Sequence, residues 1–276
     1  MESLARFAFH SPRGAAPRAE QGCSSAYFKH AKAAAHRSGE PPGSITMNSV
    51  MSSRFQPMPL SRRAEPFDHQ DWCFEIKWDG FRALAHVEGG ACRLISRNGN
   101  VFKSFPALNL GLALECVARS AVLDGEIVCV DTNGTPQFKD LLFRHGEPRF
   151  YAFDLLECDD EDLRYLPFLD RKHRLRAIVP SDGERLLYCD HAEGLGRELF
   201  RLTCERDLEG IVAKRKFDPY LPDTTRWFKI RNPNYSQWIG REELFERERD
   251  SNPDRNIWES CVLACAELNE KHGETR

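Results

Sequence analysis

From Phe55 onward the chain is built of short runs in which apolar residues alternate with polar ones or fill the run completely: WCFEIKW, ALAHVE, CRLISRN, AVLDGEIVCVD, RFYAFDLLEC, EGIVAKR and RWFKIRN. A period of two places alternate side chains on opposite faces of a strand, so each run predicts a strand with one buried face. Turn signals such as Asn98-Gly99 and Asn133-Gly134 separate them. Helical spacing intervenes near 105–119, 170–178 and 192–207. Strands and helices mix without a strict βαβ rhythm, which predicts an α+β fold with mainly antiparallel sheets and flanking helices.

The two ends differ from this middle. Residues 1–50 are rich in Ala, Ser, Gly, Pro and His and carry no sustained apolar period, so they are expected to be disordered. They hold six Lys/Arg against three Asp/Glu up to Met47, a transit-peptide-like balance, and Met47 and Met51 offer an alternative start that would make them a mis-called extension. Residues 236–276 hold six Lys/Arg against ten Asp/Glu. REELFERER leads to a break at Asn252-Pro253, after which Ile257, Trp258, Cys261, Val262, Cys265 and Leu268 fall on one helical face. A helix there is expected to pack back on the core or to meet a partner.

Composition excludes several classes. No apolar run approaches the ~20 residues of a membrane span. Ten scattered cysteines without a CxxC pair fit reduced core thiols in a cytoplasmic protein. A net charge of −3 does not mark a strongly basic nucleic-acid binder, so any DNA contact must come from a local basic patch.

The chemistry sits on the strands. In FEIKWDGFR, Phe74, Ile76 and Trp78 alternate with Glu75, Lys77 and Asp79, which surrounds one amine with two acids; Gly80 permits a turn, and Arg82 follows. Asp124 and Glu126 share a face of VLDGEIV; Phe153 lies opposite Asp154 in FYAFDLL. Glu209 opens and Lys214 closes EGIVAK, and Trp227, Lys229 and Arg231 share a face of RWFKIR. A strict strand would set Glu209 and Lys214 on opposite faces, so Gly210 or a bulge must re-aim one of them. Taken singly, each element is an ordinary strand end, wet sheet face or core aromatic.

Together and in order they are specific. KWDGFR resembles the K-x-D-G-x-R motif of the covalent nucleotidyltransferases, which include ATP-dependent DNA ligases, RNA ligases and mRNA capping enzymes. LDGEIV, FYAFDLL, EGIVAK and WFKIR resemble that family's later motifs, and the stretch opening at RFQPMPLSRR is most similar to the ligase module of bacterial ligase D, an end-joining ligase. The resemblance covers about residues 54–235 and implies a ligase-type adenylation domain over 51–235 with the nucleotidyltransferase fold. It implies that Lys77 attacks the α-phosphate of ATP to form a lysyl–AMP phosphoramidate. It also implies that Glu75 accepts the adenine amino group, that Arg82 and Arg97 meet the AMP, that Glu126 meets the ribose or a metal, and that Phe153 stacks on adenine. Glu209 becomes the second metal-side acid, and Lys214 and Lys229 bind phosphate. The implied cofactors are ATP and Mg²⁺ or Mn²⁺, and the implied partner is DNA with a nick or break.

The attacking amine must be neutral, whereas an ordinary lysine has pKa about 10.4. Ile76 and Trp78 can desolvate it and nearby cations disfavour its charge, while Asp79 and Glu75 act the other way. The pattern departs from the family in two places. Arg231 stands where a second lysine is common, exchanging a point charge for a planar fork. The 41 residues after Tyr235 are acidic and helical and do not match the OB-fold domain that follows in such ligases. Three readings follow: an ATP-dependent ligase-type adenylyltransferase for DNA repair or recombination, completed by an OB-fold or end-joining partner; an RNA ligase or capping-type enzyme; or a nucleotide- or DNA-end-binding protein without turnover.

Overall fold

The computed structural model describes residues 54–245. The expected helical face at 257–268 and residues 1–50 lie outside them. Each alternating run is a strand: β2 (Trp72–Ile76), β3 (Phe81–Glu88), β4 (Ala91–Ser96), β5 (Ser120–Val128), β6 (Arg149–Cys158), β10 (Gly210–Arg215) and β11 (Trp227–Arg231). Four short strands have no readable period: β1 (Leu60–Arg62), β7 (Glu161–Asp162), β8 (Leu186–Tyr188) and β9 (His191–Glu193). The helices are α1 (Pro106–Glu115), α2 (Phe138–Phe143), α3 (Phe168–Ile178) and α4 (Gly196–Glu205), with a 3₁₀ turn at Ser236–Trp238. The single helix expected over 192–207 is a strand and a helix, because Gly194 turns the chain at φ +74° between them.

The strands form two sheets. One runs β1-β11-β10-β2-β9, the other β4-β3-β5-β6-β7 with β8 beside β6. Pairing is antiparallel except for β1 with β11 and β8 with β6. Alternation sorts the side chains into three apolar layers. Phe81, Ala83, Ala85 and Val87 face a core closed by α1 and α2, through Leu108, Leu112, Phe138 and Leu141. Phe74, Ile211, Ala213 and Ile230 face Leu199 of α4. Leu84 and Val122 of one sheet meet Val212 and Trp227 of the other, with Phe55, Met58 and Tyr220. This third layer glues the sheets together, and the polar cleft opens beside it.

Candidate nucleotide site

The cleft has an open volume of about 400 Å³ and is lined by Glu75, Lys77, Trp78, Arg82, Glu126, Phe153, Val212, Lys214 and Trp227, among others. A second cleft, around His86, Arg93 and Ser120, contains none of the motif residues.

Strand β2 ends at Ile76, so Lys77 leaves the sheet while its N–H still donates to the Gly210 carbonyl at 2.9 Å. Its Nζ donates to Glu209 Oε2 at 2.5 Å. Burial, foremost, and the charge of Asp79 push the Glu209 carboxyl up, against the pull of Lys77. Trp78 is off the strand and stacks on Tyr151 of the opposite sheet, centroids 4.0 Å apart. It bridges the sheets rather than extending the apolar face of β2. Gly80 makes no left-handed turn. It allows a close approach: a Cβ there would lie 2.0 Å from the Ile127 carbonyl oxygen.

The two acids beside Lys77 have cations of their own. Glu75, buried, pairs with Lys172 at 2.8 Å and Lys214 at 2.5 Å. Asp79 accepts from Tyr235 Oη at 2.8 Å and from Arg241 Nη2 at 2.6 Å on each oxygen. Both acids are therefore engaged by other residues, and Glu209 is the acid in contact with Lys77. Burial keeps pressing Lys214 below its usual value, while Glu75, Tyr188 and Cys189 raise Lys172 against its burial. Glu75 thus has two buried counter-ions, Lys172 and Lys214.

The acids of the second sheet divide their work. Asp124 is fully buried and takes a two-point bond from Arg82, Nε to Oδ1 at 3.0 Å and Nη2 to Oδ2 at 2.7 Å. Tyr220 Oη donates to the same carboxylate at 2.6 Å, and Arg82 Nη1 reaches the Met58 carbonyl at 2.6 Å. Such a fork fixes a guanidinium firmly. Glu126, opposite Arg82 across the strands, lines the cleft instead. Burial pushes its carboxyl up to about 8, although Lys77 and Arg82 oppose the shift.

Phe153 does not lie opposite Asp154 as strict alternation predicts. Asp124 pairs with Asp154 and Gly125 with Ala152, so the register skips Phe153. The extra residue is a β-bulge, which re-aims side chains beside functional sites. The Phe153 ring lines the cleft, where Lys214 Nζ sits 4.4 Å from its centroid and the Arg82 guanidinium 5.4 Å. Asp154 is meanwhile gripped by Arg171 at 2.7 and 2.8 Å, both fully buried, which anchors the bulge to α3.

Gly210 resolves the conflict between Glu209 and Lys214. At φ +145° it turns the chain at the first position of β10, so Glu209 reaches Lys77 while Lys214, in register with Cys73, reaches Glu75. Lys229 is pulled down to about 8 by burial, foremost, then by the charges of Arg231 and Lys77, with Arg97 adding to the effect. Arg97 is exposed, in the turn after β4, and touches the cleft only through this field. Glu75, Lys77, Arg82, Glu126, Phe153 and Lys214 line one cleft, Glu209 joins it through Lys77, and Lys229 and Arg97 lie outside its lining and act on it only through their charge.

Sequence reasoning missed Lys172, Arg171, Tyr220 and Arg241. Lys172 and Arg171 lie in RKHRLR, a run that looks like a solvated helix face. Arg241 lies beyond the motifs, where its guanidinium packs over Phe138 at 3.8 Å and Trp238 at 4.8 Å. The mixed acid-aromatic pattern of the loop holding Tyr220 offered no local signal.

Comparison with known proteins agrees with this geometry. Over 173 residues the chain is 34% identical to the multifunctional non-homologous end joining DNA repair protein LigD of Mycobacterium tuberculosis, covering 61% of this chain and 22% of that protein. It is 28% identical to the SPbeta prophage-derived DNA ligase-like protein LigB of Bacillus subtilis, covering 66% and 68%. A solved structure of mycobacterial DNA ligase D complexed with ATP and MES superposes with a TM-score of 0.55 at 32% identity, over 64% of this chain and 60% of that one. The chain therefore spans about a fifth of the length of the LigD relatives it matches. Residues 56–231 match the ATP dependent DNA ligase domain, and the chain belongs to that family.

Proposed function

We propose that this domain forms a lysyl–AMP intermediate on Lys77 from ATP and passes the AMP to the 5′-phosphate at a nick or break in DNA. The observation that carries the reading is the placement of Lys77 Nζ in the inter-sheet cleft, hydrogen-bonded to Glu209 and flanked by acids that other cations already hold. The walls suit a purine nucleotide. Phe153 and Val212, from opposite sheets, offer apolar faces to a base, and Glu75 offers an acceptor to its amino group once Lys214 moves to the phosphates. Stacking of this kind is worth roughly 1–3 kcal/mol per base. Arg82, held rigid by Asp124, and Lys229 with Arg231 and Arg97 supply positive charge for the triphosphate.

In the first step the Lys77 nitrogen forms a bond to the α-phosphorus, and the bond to the pyrophosphate oxygen breaks. Glu209 is positioned to orient the attacking amine, since its Oε2 lies 2.5 Å from Nζ, and the proton that the amine gives up passes to solvent. Arg82 and Lys229 offset the charge on the phosphates as it moves to the leaving group. No group of three or more metal-ligating side chains occurs among the described residues. The pair Glu126 and Glu209 instead fits Mg²⁺ or Mn²⁺, because Mg²⁺ is usually held by one or two carboxylates together with substrate phosphates. Such an ion, when bound, would supply further positive charge to the leaving pyrophosphate. No described helix is long and apolar enough to cross a membrane. We place the domain's work in the cytoplasm, on DNA, with an OB-fold or end-joining protein as a partner to be sought.

The test is incubation of the full chain with labelled ATP or GTP and Mg²⁺, followed by a chase with nicked duplex. A covalent adduct from ATP that the nick discharges is expected. An adduct from GTP alone, or none from either, would overturn the reading.

A further inference from the structure

Glu75 meets the cleft with more acceptor capacity than its partners use. It lines the cleft, is buried, and turns its two oxygens to different lysines: Oε2 lies 2.5 Å from Lys214 Nζ and Oε1 lies 2.8 Å from Lys172 Nζ. The Lys172 contact is an ion pair without a well-directed hydrogen bond, so Oε1 is a buried acceptor whose lone pairs no described group takes. A carboxylate offers about four lone-pair sites, and a buried one left unmatched costs stability. Lys172 is outside the lining of the cleft. It sits behind Glu75, fully buried, where its Nζ donates to the Cys189 carbonyl at 2.5 Å and lies 4.1 Å from the centroid of the Tyr188 ring. The preceding residue, Arg171, grips Asp154, which follows Phe153. One turn of α3 thus braces both the acceptor and the strand that carries the aromatic face.

We infer that Lys172 is a positioning residue for base recognition: by holding Glu75 Oε1 at the cleft, it makes the pocket select a base that carries an exocyclic amino group on the facing edge. The inference rests on the nucleotide reading above and adds the residue that sets its base preference. A carboxylate paired with ammonium groups accepts hydrogen bonds and donates none. Adenine presents one exocyclic donor, its 6-amino group, and a hydrogen in that place would leave the buried acceptor unmatched. Sites built around a hydrogen bond reject an analogue that lacks it for this reason. Lys214 is the poorer brace of the two. It lines the cleft, and its Nζ lies 3.9 Å from the Trp227 ring and 4.4 Å from the ring of Phe153, on which a base would stack. The Lys172 ammonium is instead enclosed by Glu75, the Cys189 carbonyl and Tyr188, away from any bound nucleotide.

The test is titration calorimetry of the full chain with AMP and with purine riboside 5′-monophosphate, which lacks only the 6-amino group. Neither ligand carries a pyrophosphate to release, so binding is read apart from adduct formation, and a failure of the lysyl–AMP chemistry would leave the result unchanged. The ratio of the two Kd values is taken within each protein, so a loss of stability that affects both ligands alike cancels. The parent is expected to bind AMP about 10–150-fold more tightly, the worth of a hydrogen bond to a charged group. Lys172→Met removes the ammonium and keeps an unbranched stem, and should bring the ratio below about threefold. Lys172→Arg, which keeps the charge, should preserve most of the preference. If Lys172→Met does not fold, Lys172→Gln, which retains a donor for the Cys189 carbonyl, is read in its place with the same expectation. A parent that binds the two ligands equally would overturn the inference. So would a folded variant without the ammonium that discriminates as the parent does, since Lys172 would then be a counter-ion of the fold alone.

Discussion

Replacing Gly210 by alanine should damage both the fold and the site, because this residue turns the chain between the acid that holds Lys77 and the strand that carries Lys214. Two costs add. At φ +145° an L side chain is strained, by about 1–3 kcal/mol. The new Cβ would also lie 2.1 Å from the Ile230 carbonyl oxygen and 2.9 Å from the Arg231 Cα. Those are backbone atoms in the adjacent strand, so relief requires β10 and β11 to separate, at roughly 1–3 kcal/mol. A total of roughly 2–6 kcal/mol lowers the melting temperature by about 4–24 °C in a domain of this size. Gly89→Ala is the internal control: it too has positive φ, at +56°, but nothing lies within 4 Å of its Cβ. It should lose only the strain. Thermal melting of both variants beside the parent gives the comparison, and nucleotide adduct yield is then read well below the lower melting point. Displacement of Glu209 by even ~1 Å should reduce adduct formation by about 10²-fold. A Gly210→Ala protein that melts with Gly89→Ala and labels normally would show that the turn does not aim Glu209.

Other perturbations probe separate parts of the account. Arg241→Leu leaves the buried Asp79 with Tyr235 alone, and breaking a buried pair costs about 3–5 kcal/mol; a melting point within 2 °C of the parent would refute the role given to this residue. Phe153→Ala should weaken ATP binding about 5–150-fold, the equivalent of roughly 1–3 kcal/mol of stacking, as read by nucleotide titration; unchanged affinity would return Phe153 to the core. Burial holds His86 and His191 down to about 4 from 6.5. Between those values the unfolded chain binds more protons than the folded one, so each histidine lowers stability as the pH falls through the window, by up to ~3 kcal/mol. The double variant His86→Gln/His191→Gln should therefore lose less stability than the parent between pH 7 and pH 4.5 in denaturant titrations, and equal losses would contradict the burial argument.

Much of this was legible in the residues, and for a physical reason. Long strands with one buried face declare themselves by alternation, as in FRALAHVE and AVLDGEIV, and fixed motif spacing located Glu75, Lys77, Arg82, Glu126, Glu209, Lys214 and Lys229. What stayed hidden was whatever depends on distant pairing. Strands β1 and β8 exist because longer strands beside them offer free edges. The run RKHRLR looks solvated, yet Arg171 and Lys172 are fully buried because Asp154 and Glu75, far away in sequence, require counter-ions. The bulge at Phe153 arises from a register with β5 that no local signal reports. Arg241 reaches Asp79 across 162 positions, so its part in the site could be seen only in three dimensions.

The central claim is that Lys77 is the nucleophile. The direct measurement is mass spectrometric mapping of the protein after incubation with ATP and Mg²⁺, beside a folded Lys77→Ala variant. The account predicts one AMP adduct, on the peptide containing Lys77, acid-labile as a phosphoramidate and absent from the variant. An adduct on Lys214, Lys229 or any other residue, or one that survives in Lys77→Ala, would contradict it.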